Sequence, residues 1–309
     1  MKKVSLLIPC YNEETNIRPL YDQLTQVIET KPQFCWEILF VDDGSEDGSI
    51  DVIRMLRNLD ERVCYIRLSR NFGKEHALMA GFDHVSGDCT IIMDADLQHP
   101  VSAIPQMLEN WSQGFDDVYA RRNSRGKESW MRRKCTMLYY SILKRMAKTD
   151  ILPNVGDFRL LDRKCIRSLR QLRETQRYTK GLYCWIGFRK KEITIEQAER
   201  ASGRSSFTYA RLFNLAIEGI TSYSTAPLRW STLLGLIVSA AAFLYMCYVL
   251  IKTLFIGEPV QGFPTLIIVI LFLGGIQLVS LGIIGEYLAR IFHETKHRPI
   301  YLIDEKEGV

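Results

Sequence analysis

The sequence predicts an α/β domain with a mainly parallel sheet, followed by an amphipathic helix and two membrane-spanning helices. Three observations predict it. Short apolar runs alternate with amphipathic segments through the first third of the chain. Charge is dense as far as Arg229 and then nearly vanishes until Glu286, with Lys252 and Glu258 as the exceptions. Within that charge-poor region lie two uncharged stretches, Trp230 to Ile251 and Pro259 to Gly285, each long enough for a bilayer, which takes about 20 residues.

Val4 to Pro9 is a short apolar run. Glu14 to Thr30 places Ile17, Leu20, Leu24 and Ile28 at helical spacing. Glu37 to Val41 is the second apolar run, Ile50 to Leu59 reads as helix, Val63 to Leu68 as strand, Glu75 to Val85 as helix and Cys89 to Met93 as the fourth run. Strands this uniformly apolar are buried on both faces, as parallel strands under helices are. Further on, Ser129 to Lys148 reads as a basic helix, Gly156 to Leu160 as a turn entering a short apolar run, and Ile193 to Ala198 as a late strand. Phe207 to Tyr223 puts Tyr209, Leu212, Phe213, Ala216, Ile217 and Ile220 on one helical face and Arg211, Asn214 and Glu218 on the other. That face suits packing on the domain and lying in the membrane interface equally well. Gly274, Gly275, Gly282 and Gly285 offer small surfaces for close helix packing. Arg229 precedes the spans and Arg290, Lys296 and Arg298 come after them, so the positive-inside rule puts both ends in the cytoplasm and a short hairpin outside. The expected division is a cytoplasmic domain (1–206), a juxtamembrane helix (207–228), a transmembrane hairpin (229–287) and a cytoplasmic tail (288–309).

A net charge of +5 is too mild for a nucleic-acid binder, and no basic strip is interleaved with aromatics. The clusters Arg163 to Arg177 and Arg189 to Lys191 read as solvated surface, whereas Arg121 to Lys134 and Arg200 to Arg211 lie where they can face anionic phosphate or the membrane. Eight scattered cysteines form no Cys-x-x-Cys pair and read as free buried thiols in a reducing compartment. The amino terminus has too short an apolar run for a signal peptide.

The chemistry lies in the loops just past the strands. Tyr11-Asn12-Glu13, Asp42-Asp43 and Asp94-Ala95-Asp96 each come directly after an apolar run, and ligands of such sheets gather at the carboxyl ends of strands. The three loops therefore converge on one crevice. A turn after Met93 lets Asp94 and Asp96 meet one hard cation, of the kind that takes oxygen ligands, waters and phosphates and neutralises a diphosphate leaving group. Asp42 and Asp43 suit ribose hydroxyls or base donors, while Gly44 and Ser45 are accounted for by a strand-to-helix turn. Asn71-Phe72-Gly73-Lys74 supplies a turn glycine and a cation. There is neither a Gly-x-Gly-x-x-Gly nor a Walker A sequence, which argues against dinucleotide binding and ATP hydrolysis.

In these four motifs the chain resembles the family 2 glycosyltransferases, whose GT-A fold is a Rossmann-like α/β domain. Asn154-Val155-Gly156-Asp157-Phe158-Arg159, the run from Ala198 to Ser205, and Gly282-Ile283-Ile284-Gly285-Glu286-Tyr287 narrow the likeness to polyisoprenyl-phosphate glycosyltransferases of the bactoprenol glucosyltransferase (GtrB) type. The resemblance covers nearly the whole chain. It implies transfer of a hexose, glucose before others, from a UDP-sugar to undecaprenyl phosphate with inversion. It also implies a divalent metal (Mg²⁺ or Mn²⁺), multi-pass residence in the bacterial cytoplasmic membrane, and a homotetramer. Carried over position by position, it has Pro9, Tyr11, Glu13 and Asp42 hold uridine, with Asn12, Asp43 and Gly73 in the same nucleotide-sugar loops. Lys74 and Asp94 lie near the donor, and Asp96 and Gln98, joined by Asp94, hold the metal. Asp157 sits beside the reacting sugar and completes a catalytic set with Asp94 and Asp96. Arg200 and Arg204, with Arg121 and Ser205, bind donor or acceptor phosphate. Ser205-Ser206-Phe207 departs from the Ser-Lys-Tyr or Ser-Lys-Phe of many relatives and lacks the lysine.

A phosphate monoester has a second pKa near ~6 and is mostly dianionic at neutral pH, so such an acceptor needs positioning more than a base. Asp157 is left to orient a sugar hydroxyl, to stabilise positive charge on the sugar, to act as a general base, or merely to cap a short helix after a turn. Other donors fit the same motifs: UDP-N-acetylglucosamine, UDP-galactose, GDP-mannose or a UDP-aminopentose. A processive polysaccharide synthase carries Gln-x-x-Arg-Trp, whereas Ala226 stands in place of the Gln before Arg229-Trp230. A non-catalytic nucleotide-sugar-binding membrane protein would have lost one of the metal carboxylates, and both are present.

Overall fold

The computed structural model describes residues 1–122, 155–175, 177–195, 226–256 and 262–309. They fall into two compact units, one of residues 1–122, 155–175, 177–195 and 298–309, the other of residues 226–256 and 262–297. The basic segment Ser129 to Lys148, the amphipathic segment Phe207 to Tyr223, and Arg200, Arg204 and Ser205 lie outside the described residues.

The first unit opens with β1 (Lys2–Cys10), α1 (Glu14–Glu29), β2 (Phe34–Asp42), α2 (Ser49–Leu59), β3 (Val63–Leu68), α3 (Lys74–His84) and β4 (Cys89–Ile92). The four strands pair in parallel in the order β4-β1-β2-β3. Successive strand residues face opposite sides, and helices cover both. Val4, Leu6 and Ile8 enter one core with Ile17, Leu20 and Leu24 of α1, while Leu7 enters a second core with Ala77, Leu78 and Phe82 of α3. Two-sided burial is why these strands read as unbroken apolar runs.

The chain continues through α4 (Ile104–Ser112), β5 (Asp117–Arg122), β6 (Val155–Asp162), α5 (Arg163–Gln171), α6 (Thr179–Trp185) and β7 (Lys190–Ile195). Here the sheet departs from the parallel pattern. β6 runs antiparallel to both β4 and β5, and β7 runs parallel to β5. Gly156 to Leu160, expected as a turn into a strand, lies wholly within β6, and the residue capping the next helix is Asp162, not Asp157. Asp162 accepts the Lys164 N–H at 2.9 Å. The run is a strand because Phe158 and Leu160 enter one core and Leu161 the other.

The C-terminal segment supplies one more strand, β8 (Ile303–Glu307), antiparallel to β3 at the sheet edge. Ser69 N–H donates to Leu302 O at 2.9 Å. Arg54 pairs with Glu305, Arg57 with Glu307 at 3.4 Å, and the Tyr65 hydroxyl donates to both glutamates. Backbone pairing plus this charge match closes an edge that would otherwise be open to association. All described cysteines are free; Cys10, Cys64, Cys89 and Cys165 are buried as expected, but Cys35 is exposed, because its neighbour Trp36 takes the inward face of β2.

The second unit contains α7 (Ala226–Ile256) and α8 (Phe263–Thr295), which pack on each other. Among the described residues one stretch, Phe272–Thr295, is long and apolar enough to cross a membrane.

Candidate functional site

Three loops leave the carboxyl ends of the adjacent strands β1, β2 and β4, and the first two are stitched to one another. Asn12 adopts φ 55°, a left-handed conformation that Asn tolerates better than most residues. Its N–H donates to Ser45 Oγ at 2.9 Å, and its Oδ1 accepts the Glu46 N–H at 2.9 Å. The Glu13 N–H donates to Ser49 Oγ at 2.8 Å. Tyr11 is left exposed at the rim, and Pro9 lies within β1 opposite Val41.

The acidic pair after β2 builds the loops around it. Asp42 is buried, accepts the Ser45 N–H at 3.2 Å and the Ser45 hydroxyl, and faces Arg67 at 3.6 Å. Asp43 accepts the N–H groups of Phe72 and Gly73 at 2.8 Å each, one on each oxygen. Burial raises both carboxyl pKa values, and these hydrogen bonds oppose the rise. Gly44, at φ +69°, packs so tightly that an added Cβ would lie 2.4 Å from the Arg70 carbonyl carbon. Gly73, at φ +98°, swings the chain into α3.

That turn delivers Lys74 to the centre of the site. Its Nζ lies 2.5 Å from Asp94 Oδ1 and 2.9 Å from Asp157 Oδ2. The register explains the meeting: Ile92 pairs with Arg159 across the antiparallel β4–β6 ladder, and continuing that register two residues beyond β4 brings Asp94 level with Asp157. Burial works against the charge on Lys74, and the carboxylates of Asp157 and Asp94 outweigh it, holding the ammonium above the ordinary lysine range. For Asp157 burial pushes the pKa up, but Lys74, then Lys180 and Arg159, bring it down to about 2.

The Asp94 N–H donates to His99 Nδ1 at 3.0 Å, and the His99 ring stacks on Phe158 at 4.8 Å, beside Asp157. Leu97 adopts φ 60°, strained for a bulky side chain, and the turn it makes sets the Gln98 N–H on Asp96 Oδ1 at 3.2 Å. Burial raises the Glu13 pKa, a hydrogen bond from Asn16 opposes this, and the charges of Asp96 and Asp94 add to the rise. Glu13, Asp94 and Asp96 therefore share one negative field. Among the described residues no three His, Cys, Asp or Glu side chains form a closed metal cage. Asp94 and Asp96 instead offer a partial shell of hard oxygens, which fits a Mg²⁺- or Mn²⁺-type ion that completes its shell with phosphate and water.

Arg121 lies on β5 opposite Val155, two residues before Asp157 on the neighbouring strand, and its guanidinium is 3.3 Å from Glu192. Beneath Asp157, Arg159 and Asp117 form a buried ion pair at 3.1 Å, with the guanidinium 3.8 Å from the centre of the Tyr183 ring. Arg177, which belongs to a cluster expected to be solvated, is buried and donates to Leu172 O. Arg170 donates to Phe82 O and, at 2.6 Å, to Val85 O. Arg170 thus ties down the carboxyl end of α3 and Arg177 the chain just past α5, and spacing along the chain carries no sign of that.

Residues 5–170, more than half of the chain, match the glycosyl transferase family 2. The chain belongs to glycosyltransferase family 2. Its α/β domain is of the GT-A type, and residues 226–291 match the GtrB C-terminal hairpin. This glycosyltransferase is 42% identical over 305 residues to the bactoprenol glucosyl transferase of Shigella phage SfV, covering 99% of each chain. It is 40% identical over 307 residues to an uncharacterized glycosyltransferase of Synechocystis, covering 99% of this chain and 96% of that one. It is 41% identical over 302 residues to a putative glycosyltransferase of Bacillus subtilis, covering 98% of this chain and 91% of that one.

Proposed function

We propose that this glycosyltransferase moves glucose from UDP-glucose to undecaprenyl phosphate, with inversion, at the cytoplasmic face of a bacterial membrane. The observation that carries the reading is the end-to-end likeness to a bactoprenol glucosyl transferase, C-terminal hairpin included. In the proposed step an oxygen of the lipid phosphate attacks the anomeric carbon opposite the nucleotide. The new C–O bond forms as the bond to the β-phosphate oxygen breaks, and UDP leaves with the electron pair. The acceptor is already ionised at neutral pH and no base is needed. Asp157, ionised and held by Lys74, acts as a fixed negative charge against the cationic character of the sugar.

Pro9, Tyr11, Asn12, Glu13, Asp42, Asp43 and Gly73 form the nucleotide-sugar loops, and Lys74 stands on the donor side with Asp94. Asp94, Asp96 and Gln98 hold a divalent ion, which when bound neutralises the diphosphate leaving group. Arg121, Arg200, Arg204 and Ser205 serve phosphate. The two helices α7 and α8 cross the membrane as a hairpin with both chain ends in the cytoplasm; the exposure of Leu236, Leu244, Leu278 and Leu281 on them bears only on their facing lipid. A homotetramer is the assembly that the resemblance implies.

The test is the purified full chain with labelled UDP-glucose, UDP-N-acetylglucosamine, UDP-galactose or GDP-mannose, each with and without undecaprenyl phosphate. The expected result is lipid-extractable label only with UDP-glucose plus the lipid. Label in polymer, or transfer with another sugar alone, refutes the reading.

A further inference from the structure

The Met93 N–H still donates to Leu7 O of the neighbouring strand at 3.1 Å, whereas the next amide, that of Asp94, turns to His99 Nδ1 at 3.0 Å. A backbone amide can only donate, so Nδ1 is the bare nitrogen of the ring and the proton sits on Nε2. His99 is 5% exposed. Its ring lies nearly parallel to that of Phe158, with 4.8 Å between centroids and 9° between planes. Phe158 is itself buried, in the core that α1 covers. A ring seated flat on a fixed aromatic has little freedom to swing its Nδ1 away.

Asp94 is thereby gripped from both faces of the sheet. Its carboxylate meets Lys74 at 2.5 Å, at the start of α3, the helix over the second core. Its amide meets His99, which is stacked on Phe158 in the first core. Asp157, next to Phe158 in β6, takes the same Lys74 at 2.9 Å. Two contacts therefore tie the loop after β4 to β6, one through Lys74 and one through His99.

The turn needs that support. Leu97 holds φ 60°, and the Gln98 N–H closes on Asp96 Oδ1 at 3.2 Å. A strained backbone persists only where its surroundings over-determine it. With no acceptor at residue 99, the Asp94 amide is left unpaired and the turn gains by rearranging. Asp94 and Asp96 then no longer present their carboxylates to one ion.

We infer that His99 is a positioning residue: as acceptor for the Asp94 amide, it holds Asp94 and Asp96 in the arrangement that takes a divalent ion together with the donor's diphosphate. The inference rests on the metal-binding reading above. His99 acts through the backbone of Asp94 and not as a ligand.

The test uses the full chain in detergent and measures UDP binding by calorimetry, in Mn²⁺ and in chelator. Transfer from UDP-glucose to undecaprenyl phosphate is followed in parallel over a Mn²⁺ series. In the unsubstituted protein Mn²⁺ should tighten UDP binding. His99→Phe keeps an aromatic ring against Phe158 and removes the acceptor. It should lose about tenfold of the Mn²⁺-dependent tightening, with UDP affinity in chelator within about twofold of the unsubstituted protein. The Mn²⁺ concentration for half-maximal transfer should rise in step, while the KM for the lipid stays within about twofold. His99→Asn loses the ring but sets its Oδ1 near the place of Nδ1, so it should recover most of the tightening even at a lower melting temperature. A merely structural role predicts the reverse order, with Asn worse than Phe. Full tightening in His99→Phe, or an equal loss in His99→Asn, overturns the assignment and leaves the metal reading intact. The histidine nitrogen NMR spectrum of the unsubstituted protein should show His99 with its proton on Nε2. A proton on Nδ1 overturns the assignment whatever the variants do. If Mn²⁺ leaves UDP binding of the unsubstituted protein unchanged, the metal reading falls, and this assignment with it.

Discussion

Replacing Asp157 by Asn keeps the shape and removes the charge. Lys74 then loses one of its two carboxylate partners and keeps only Asp94. The fall of the Asp157 pKa from 3.8 to about 2 means that its surroundings favour the carboxylate by about 2 kcal/mol. A full opposite charge about 4 Å away, at an effective dielectric near ~20, would be stabilised by about 4 kcal/mol, and a half-developed charge by about 2 kcal/mol. With a factor of ten for each ~1.4 kcal/mol, kcat should fall by about 30-fold. The KM for UDP-glucose should change little, since the nucleotide loops are untouched. The assay is transfer of labelled glucose to undecaprenyl phosphate between about pH 5 and 8. Over that range Asp157 stays ionised, so any limb near pH ~6 belongs to the lipid phosphate and appears in both proteins. On stability the sign is the reverse of a histidine's. A carboxylate whose folded pKa is depressed stabilises the protein above the unfolded pKa, and that contribution is lost as pH falls from about 4 to about 2. The variant should lack this part of the acid dependence. Near-normal kcat in Asp157→Asn, or an acid limb that vanishes in the variant, would refute the electrostatic role.

Asp96→Asn should abolish most transfer while the melting temperature holds, and full activity in the variant or in excess chelator would remove Asp96 from metal binding. Asp117→Asn should destabilise the protein by about 3–5 kcal/mol, because it leaves the buried Arg159 guanidinium without its anion; an unchanged denaturant midpoint argues against this. Deleting residues 300–309 removes β8 and the glutamates that hold Arg54, Arg57 and Tyr65, so thermal unfolding should begin earlier and aggregation increase. Equal melting curves would show that the strand contributes nothing. A membrane-impermeant thiol reagent applied from outside should label Glu258→Cys and miss Asp304→Cys, and the opposite pattern would refute the hairpin topology.

Much of this molecule is legible along the chain, and the reason is local. Strands buried on both faces must be apolar at every position, so Val4 to Pro9 and Cys89 to Met93 announce themselves, and α1 shows its buried stripe at Ile17, Leu20, Leu24 and Ile28. Acidic and polar residues directly after such runs have few places to go but the mouth of the sheet, which makes Glu13, Asp42, Asp43, Asp94 and Asp96 visible as a group. Which atoms meet is another matter. Asp42 and Asp43 turn their oxygens inward to Ser45, Phe72 and Gly73, a use that depends on how the loop after β3 returns to the loop after β2. Along the chain Asp157 reads as a turn residue; the antiparallel pairing of β6 with β4 makes it a strand residue level with Asp94. The C-terminal segment reads as a polar tail because the edge it completes belongs to β3, far away in sequence. The Thr179 N–H meets Glu75, 104 residues earlier in the chain, a contact between α6 and α3 that no local pattern announces. Periodicity and turn chemistry are set by neighbours within a few residues, so the sequence carries them openly. Strand partners, sheet edges and the reach of a charge are set by segments that meet only when the core closes, and those decided the site.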